Sequence, residues 1–110
     1  MSETSGDPSG ASSGSSSGVS AMLTRTVTVP NRRGLHARAA AKFVTLAERY
    51  GASVEVLRDG QSVSARSIMG LMMLGAGQGS TLELQAEGWD AKEAIEALAA
   101  LVEAGFHERD

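Results

Sequence analysis

Apolar and polar residues alternate along four short segments of this chain and follow a helical period in three others. Alternation buries one face of a segment and exposes the other, which is typical of a β-strand, whereas a period near 3.6 gives one apolar helix face. The alternating segments are 23–29, 53–58, 61–65 and 80–86, and the helical segments are 37–50, 68–74 and 91–104. The order predicts an α+β fold, βαββαβα, with a four-stranded antiparallel sheet covered on one face by three helices.

Glycine and short polar residues mark the predicted ends of these elements. Asp59-Gly60 is typical of a hairpin turn between two strands. The predicted helix caps are Gly51 at the end of the first helix, Ser67 at the start of the second, and Asp90 with Glu93 as a capping box at the start of the third. From Gly105 onwards we expect the chain to fray.

Composition narrows the classes of protein to consider. Residues 1–20 contain nine serines and four glycines, so we expect a disordered tail followed by one domain at 21–110. The chain has no cysteine, which excludes disulfides, thiolate metal sites and cysteine nucleophiles. The pattern shows neither a bilayer-spanning apolar run nor a secretory signal. We therefore expect a cytoplasmic protein without membrane insertion.

Charge is distributed unevenly between the two halves of the predicted domain. Residues 21–66 hold eight Lys/Arg and three Asp/Glu, a balance of +5, and residues 67–110 hold two and eight, a balance of −6. A basic surface in the first half would steer anionic groups or acidic partners towards it. Chance segregation in a short chain explains the same distribution equally well.

Segment 31–44, Asn-Arg-Arg-Gly-Leu-His-Ala-Arg-Ala-Ala-Ala-Lys-Phe-Val, contains the first candidate for chemistry. It places His36 where a turn becomes a helix, with Arg38 two residues further on. The first turn of a helix has unpaired N–H groups and the positive end of the helix dipole, so anions bind there readily. A histidine in this position can accept a phosphoryl group through one ring nitrogen, with Arg38 and the helix N–H groups holding the phosphoryl oxygens.

Other roles for His36 are weighed against this one. A histidine that only caps a helix or packs in a turn fits the spacing equally well. A metal site is disfavoured because His107, the second histidine, lies in the tail expected to fray. Hydrolytic and other enzymatic chemistry is disfavoured because no acid is obviously placed to orient the ring, and a Gly-rich phosphate-binding loop is absent. We expect neither a metal nor another cofactor.

Segment 67–75, Ser-Ile-Met-Gly-Leu-Met-Met-Leu-Gly, is the second candidate. One helix face cannot bury all of its apolar side chains, so we expect Leu71 and Leu74 in the core. Ile68, Met69 and Met72 then form either further core or an exposed patch for partners, for which methionine is well suited. Ser67 is explained by helix capping alone, and it is also a candidate for regulatory phosphorylation.

Both segments resemble the HPr family of phosphocarrier proteins of the phosphoenolpyruvate-dependent phosphotransferase system. The strongest similarity is in Gly-Leu-His-Ala-Arg at 34–38, and further similarity lies at 67–75, 79–84 and 87–91. The resemblance covers about 22–105 and implies the open-faced β-sandwich of that family. It identifies His36 as the phosphorylated histidine, modified on Nδ1, and Arg38 as the arginine that pairs with the phosphoryl oxygens.

The resemblance also implies partners and a regulatory site. Enzyme I, charged by phosphoenolpyruvate, would donate the phosphoryl group, and histidines on IIA domains would accept it. Ser67 matches the serine that an HPr kinase/phosphorylase modifies in many bacteria. The expected docking face for donor and acceptors comprises Ala37, Ile68, Met69 and Met72, with a basic rim of Arg33, Lys42 and Arg66.

Two departures from the sugar-type pattern point towards the nitrogen-related, NPr-like branch. Ala39 follows the active-site arginine where many sugar-type members carry proline, and Arg32 and Arg33 separate Asn31 from the glycine. A role in sugar uptake, in nitrogen-type regulation, or in both is therefore expected. The alternative is a regulatory protein that binds partners through the Met-rich helix independently of histidine phosphorylation. We expect a monomer, and the few aromatic residues argue against nucleic-acid binding.

Overall fold

A computed structural model of the chain describes residues 22–108. The strands are β1 Leu23–Thr28, β2 Ser53–Arg58, β3 Gln61–Ser64 and β4 Thr81–Glu87. The helices are α1 Ala37–Ala47, α2 Ile68–Met73 and α3 Ala91–Glu103, followed by a 3₁₀ turn at Gly105–His107. The predicted order βαββαβα and the α+β fold class are confirmed. The predicted tail at 1–20 lies outside the described residues.

The four strands form one antiparallel sheet in the order β1-β4-β2-β3. In the register between β1 and β4, Val27 lies opposite Leu82, and between β2 and β4, Val56 lies opposite Leu84. All four of these side chains are buried. The intervening residues of each strand are exposed or half-buried. One face of the sheet is therefore apolar and covered by the helices, as the alternation predicted.

The core lies between this sheet face and the amphipathic sides of α1 and α3. Helices α1 and α3 pack against each other, and α2 packs against α1. The largest fully buried side chains are Phe43, Phe106, Leu71, Leu82, Leu84 and Leu98. Within the described residues, no helix is long and apolar enough to cross a membrane.

The predicted end of the first helix is wrong. Helix α1 ends at Ala47 rather than at residue 50, and Glu48 is its C-cap, with its N–H donating to the carbonyl of Val44 at 2.9 Å. The next two residues form tighter bonds over three positions, from Tyr50 to Ala47 for example, which closes the helix early. Gly51 therefore lies beyond the cap. The remaining boundaries differ from the prediction by at most one residue.

The predicted capping box at the start of α3 is also wrong. Asp90 is the N-cap, but its side chain makes no bond to its own helix. Its carboxylate accepts from the backbone N–H groups of Gly51 at 2.9 Å and Ala52 at 2.8 Å. Asp90 is buried, so satisfying these two N–H groups takes precedence over local capping. It joins the turn after α1 to the beginning of α3.

The sequence predicted that the chain frays from Gly105 onwards, and this prediction is wrong for the described residues. Phe106 is fully buried, and it anchors the 3₁₀ turn to the core. The amide N–H of His107 donates to Ala104, and that of Glu108 donates to Gly105, each at 3.1 Å. An aromatic side chain of this size contributes enough burial to order a short terminal segment. This turn brings the end of the described chain to the start of α1.

Candidate functional site

The loop before α1 is built around Gly34, which has a φ of +66°. A Cβ at this position would lie 2.3 Å from the carbonyl oxygen of Ala76, so only glycine fits. The next residue, Leu35, is buried and donates its N–H to the same carbonyl at 2.8 Å. The loop that follows α2 is thus packed directly on the loop that precedes His36. This contact places the two sequence motifs side by side.

His36 is the N-cap residue of α1, as the sequence predicted. Its backbone is extended, and its carbonyl accepts from the N–H of Ala40 at 2.8 Å. Its side chain makes no capping bond; the ring turns away, is only 15% exposed, and places Nε2 against the carboxylate of Glu108. Among the described residues nothing hydrogen-bonds Nδ1. The ring is fixed through one nitrogen and leaves the other for chemistry.

Asn31 supports the carboxylate that contacts His36. Its Nδ2 donates both hydrogens, one to the carbonyl of Gly34 and one to Oε1 of Glu108, each at 2.9 Å. Both partners are acceptors, so the orientation of the buried amide is determined. The amide oxygen has no hydrogen-bond partner among the described residues. Asn31 therefore connects the glycine turn, the carboxylate and, through it, the imidazole.

The site keeps Glu108 in its charged form. Burial raises the pKa of this carboxyl, but the hydrogen bonds from His36 and Asn31 lower it by more. Electrostatic interactions with His36 and Arg33 add to the downward shift. The net pKa lies below the ordinary value for glutamate, so the site presents a carboxylate to the ring at neutral pH.

Sequence reasoning missed both of these residues. No role in the site was predicted for Asn31, and the expectation that no acid is obviously placed to orient the ring is wrong. Glu108 lies 72 positions from His36, and no spacing rule connects them. The one available signal was Phe106, an aromatic residue in a segment predicted to fray. Such a side chain favours burial, which would have placed its neighbours on the folded domain.

Arg38 and Lys42 lie on the side of α1 that faces the C-terminal turn. Arg38 is exposed and, among the described residues, has no hydrogen bond or ion pair; together with His107 it lines a shallow groove there. Lys42 donates from Nζ to the carbonyl of Phe106 at 2.7 Å. Arg38 is therefore free to turn towards a bound anion, whereas Lys42 is engaged in holding the turn.

Ser67 is the N-cap of α2, as predicted. Its Oγ accepts from the N–H of Gly70 at 2.9 Å. A Cβ at Gly70 would lie 3.0 Å from both that Oγ and the side chain of Val63, so glycine allows the close packing of α2 on its neighbours. The hydroxyl is only partly exposed and already serves the helix.

Helix α2 exposes the three apolar residues for which the sequence left burial in the core and exposure equally open. Ile68, Met69 and Met72 are 40%, 70% and 41% exposed, and Leu71 and Leu74 are buried. The prediction omitted Met73, which is 74% exposed and extends the same surface. We call Ile68, Met69, Met72 and Met73 the α2 patch. Its role in docking is a prediction that the structure does not test.

Of the remaining predicted docking residues, Arg33 is exposed in the loop before α1, and Ala37 and Arg66 lie at opposite ends of that helix. Ala37 is exposed at the first position of the helix, next to His36. Arg66 donates to the carbonyl of Tyr50 and is therefore located near the end of α1. A helix of eleven residues is about 16 Å long. Arg66 thus borders the α2 patch from the side away from His36.

The described residues contain no group of three or more His, Cys, Asp or Glu that could hold a metal ion.

Comparison with known proteins identifies a matching family model. The model described as "PTS HPr component phosphorylation site" matches residues 23–104. This range holds most of the described elements and both motifs, but it ends before Glu108. The residue that contacts His36 from the C-terminal turn is therefore outside the matched region.

Individual relatives and a solved structure give the same result. The chain is 49% identical over 87 residues to the phosphocarrier protein HPr of Cupriavidus necator, covering 79% of this chain and 98% of that protein. It is 44% identical over 86 residues to the phosphocarrier protein NPr of Shewanella violacea, covering 78% and 94%. The crystal structure of HPr-C-His from Thermoanaerobacter tengcongensis superposes with a TM-score of 0.76 at 44% identity, covering 80% of this chain and 99% of that one.

Proposed function

The chain belongs to the HPr family of phosphocarrier proteins of the phosphotransferase system, and we propose that it carries the phosphoryl group on Nδ1 of His36. The donor is enzyme I, and the acceptors are histidines on IIA domains. The observation that supports this best is the half-buried ring at the start of α1, held through Nε2 with Nδ1 available. A carrier is a substrate of its partners, so it needs an acceptor atom rather than a complete catalytic apparatus.

The local charges suit a transferred phosphoryl group. His36 is the N-cap of an eleven-residue helix, and at such a helix end N–H groups and the dipole favour anions. Arg38 is exposed two positions further on and without a competing ion pair among the described residues. Its guanidinium can pair with two phosphoryl oxygens at once. These groups act electrostatically on the charge that moves during transfer.

The α2 patch is proposed as the docking surface shared by donor and acceptors. It is apolar, exposed and joined to the His36 loop through the contact of Leu35 with Ala76. Methionine side chains adapt to different partner surfaces, which a carrier with several partners requires. Ala37, Arg33, Lys42 and Arg66 are proposed as its rim. We further propose that a kinase of the HPr kinase/phosphorylase type modifies Ser67 and thereby places negative charge beside this surface.

Ala39 and the Arg32-Arg33 insertion favour a nitrogen-type regulatory relay, with sugar uptake as a second role for the same phosphoryl group. Transfer from the charged protein to a sugar-type and a nitrogen-type IIA domain, measured in parallel, distinguishes the two. Faster transfer to the nitrogen-type domain is expected. We infer that the protein acts in the cytoplasm as a monomer.

The proposal is tested by incubating the protein with enzyme I and phosphoenolpyruvate. An acid-labile adduct of one phosphoryl group should form and should be absent in His36→Ala. His107→Ala is the matched control, because His107 is the other histidine and is exposed on the neighbouring turn. An unmodified wild-type protein, or an adduct that persists in His36→Ala, would refute the carrier proposal.

A second candidate function is supported by the exposure of the α2 patch. A regulator that binds partners through this surface alone would not need the histidine. It predicts that His36→Ala keeps the biological effect, whereas Met69→Ser, at a 70% exposed position, abolishes it. The phosphocarrier proposal predicts the loss of transfer in His36→Ala regardless of partner binding.

A further inference from the structure

We propose that a groove between α1 and α3 binds an amphipathic anion, a carboxylate head on an alkyl chain as in a free fatty acid, and that this ligand competes for Arg38. The groove has a volume of about 460 Å³, which lies within the range of small-molecule sites. None of the four residues of the α2 patch lines it. Binding needs no phosphoryl transfer, whereas its effect on charging rests on the proposed phosphocarrier function.

The groove, which we call the α1 groove, is elongated along α1. Its lining on that side begins with Arg38 in the first turn of the helix and continues to Arg49, two residues after the helix ends at Ala47. At 1.5 Å per residue, this separation corresponds to roughly 16 Å along the helix axis. Such a shape suits an extended chain better than a compact molecule.

The middle of the α1 groove is apolar. Ala41 and Leu46 on α1 are only half-buried, and Leu101 on α3 completes this part of the lining. Thr45 is exposed at the same level of the helix. An alkyl chain that lies here removes the remaining apolar surface of Ala41 and Leu46 from water, which is favourable.

The charges that line the α1 groove select an anion. Among the described residues, no acidic side chain lines it, and four basic ones do. Arg38, Lys42 and His107 lie towards the start of α1, and Arg49 lies at the other end. Lys42 already donates to the carbonyl of Phe106, whereas Arg38 has no hydrogen bond or ion pair within the described part of the chain. Because a guanidinium holds a carboxylate through two hydrogen bonds, the head of the ligand lies at Arg38.

The position of the head connects this groove to the chemistry of His36. The same guanidinium is proposed to hold the phosphoryl oxygens during transfer, and it cannot pair with a carboxylate and a phosphoryl group at once. A ligand in the α1 groove should therefore slow the charging of His36. By linkage, the phosphorylated protein should bind the ligand less tightly. Phosphoryl flow would thus respond to the anion without any change at the α2 patch.

Binding is tested with decanoate, which has a carboxylate head and a linear alkyl chain. In NMR spectra of the uncharged protein, decanoate should cause saturable shifts at Arg38, Leu46 and Leu101. Decanol has the chain without the charge and should bind at least roughly 10-fold more weakly, because it loses the charge-assisted hydrogen bonds. Acetate has the charge without the chain and should also bind at least roughly 10-fold more weakly. Absence of saturable shifts with decanoate, or equal affinity for either control compound, would overturn the inference.

The location of the site is tested with Thr45→Glu, which adds a carboxylate to the middle of the groove at an exposed helix position. Repulsion between like charges should weaken decanoate binding by roughly 10-fold or more. Ala100→Glu is the matched control, because it adds the same charge at an exposed position of α3 that does not line the groove. It should keep the wild-type affinity. Equal affinities in the two variants would place the ligand elsewhere and refute the proposed site.

The competition is tested by the initial rate of charging by enzyme I, with and without saturating decanoate. The rate should fall several-fold in wild type and in Ala100→Glu, and it should not respond in Thr45→Glu, which controls for an effect of decanoate on enzyme I. An unchanged rate in wild type would refute the competition for Arg38. A wild type that is never charged would refute the proposed function, while the NMR titration still decides whether the groove binds the anion.

A lipid surface is the other source of the same chemistry. Sedimentation with vesicles of phosphatidylglycerol distinguishes it from a free ligand, and the protein should stay in the supernatant. Co-sedimentation that is retained in Ala100→Glu and lost in Thr45→Glu would make a membrane the occupant of the groove and overturn the inference of a free amphipathic anion.

Discussion

His36 and Ser67 occupy the same position in two helices but use their side chains differently. Both are N-caps with extended backbone, and the carbonyl of each accepts the first helical bond, from Ala40 at 2.8 Å and from Leu71 at 3.0 Å. The Ser67 hydroxyl turns inwards and caps its own helix through Gly70. The His36 ring turns away from its own helix and contacts Glu108, 72 positions away.

This difference distinguishes Ser67, which caps its own helix, from His36, the proposed phosphoryl acceptor. A side chain that caps its helix is a fixed part of that helix, whereas the ring of His36 is released from capping and held by tertiary contacts. The environment of Ser67 is determined within four residues of sequence. The environment of His36 depends on the loop after α2 and on the C-terminal turn. Changes to those distant segments should therefore affect His36 and leave Ser67 largely unchanged.

Among the substitutions that test this difference, Gly34→Ala is expected to have the largest effect, a loss in the free energy of unfolding. The substitution introduces a Cβ 2.3 Å from the carbonyl oxygen of Ala76 and also forces alanine to a φ of +66°. The backbone strain alone costs roughly 1–2 kcal/mol, and the collision with backbone adds to it, so we expect a loss of at least about 3 kcal/mol in the free energy of unfolding. Urea denaturation measures this loss.

Gly60→Ala is the matched control. It has a φ of +82° and nothing within 4 Å of the added Cβ, so it carries the backbone strain without the collision. The difference between the two variants isolates the contact between the loops. Equal losses in both would show that this contact does not hold the His36 loop.

A smaller effect, on rate and without loss of stability, is expected from Arg38→Ala. Removing one well-placed donor from a charged transition state costs on the order of 100-fold in rate, or about 2.7 kcal/mol. Arg38 is exposed and has no hydrogen bond or ion pair among the described residues, so the unfolding midpoint should stay near that of wild type. Rapid-quench measurement of charging by enzyme I gives the rate.

Arg49→Ala serves as the control, since it removes an exposed arginine that lines the same groove beyond the end of α1. It should lower the rate only slightly, through a weaker basic surface. Similar rates in the two variants would mean that Arg38 acts by general electrostatic attraction rather than on the phosphoryl group. Such a result would remove the distinction between the His36 end of α1 and the remainder of its surface.

The sequence was sufficient for the features that depend on local periodicity. The bounds of β2 were predicted to the residue, because 53–58 alternates clearly and Asp59-Gly60 ends it. The position of His36 before α1 and the capping by Ser67 also followed from nearby residues. Similarity to a known family added the proposal that both residues are phosphorylated, which spacing alone left open.

What the sequence did not determine involves contacts between distant segments. Asp90 looked like a local cap because Glu93 stands three residues further on, but the buried N–H groups of Gly51 and Ala52 take its carboxylate instead. Glu108 looked like part of a frayed end because α3 stops shortly before it. A single buried side chain, Phe106, reverses that expectation, and the gain from its burial depends on a core that only the folded chain forms.

The smallest effects are expected at Ser67, where two substitutions should separate capping from charge. Ser67→Ala removes the bond to the Gly70 N–H and should cost about 1 kcal/mol in the free energy of unfolding, with charging of His36 near the wild-type rate. Ser67→Asp keeps an N-cap acceptor and should leave stability nearly unchanged. It adds a negative charge beside the α2 patch, so charging by enzyme I should slow several-fold if an acidic group there repels the donor. Chemical denaturation and initial charging rates, measured on the same two variants, give the four values required. If Ser67→Ala slows charging as much as Ser67→Asp does, the effect comes from a loosened α2 rather than from charge, and the proposed regulation through this serine loses its support.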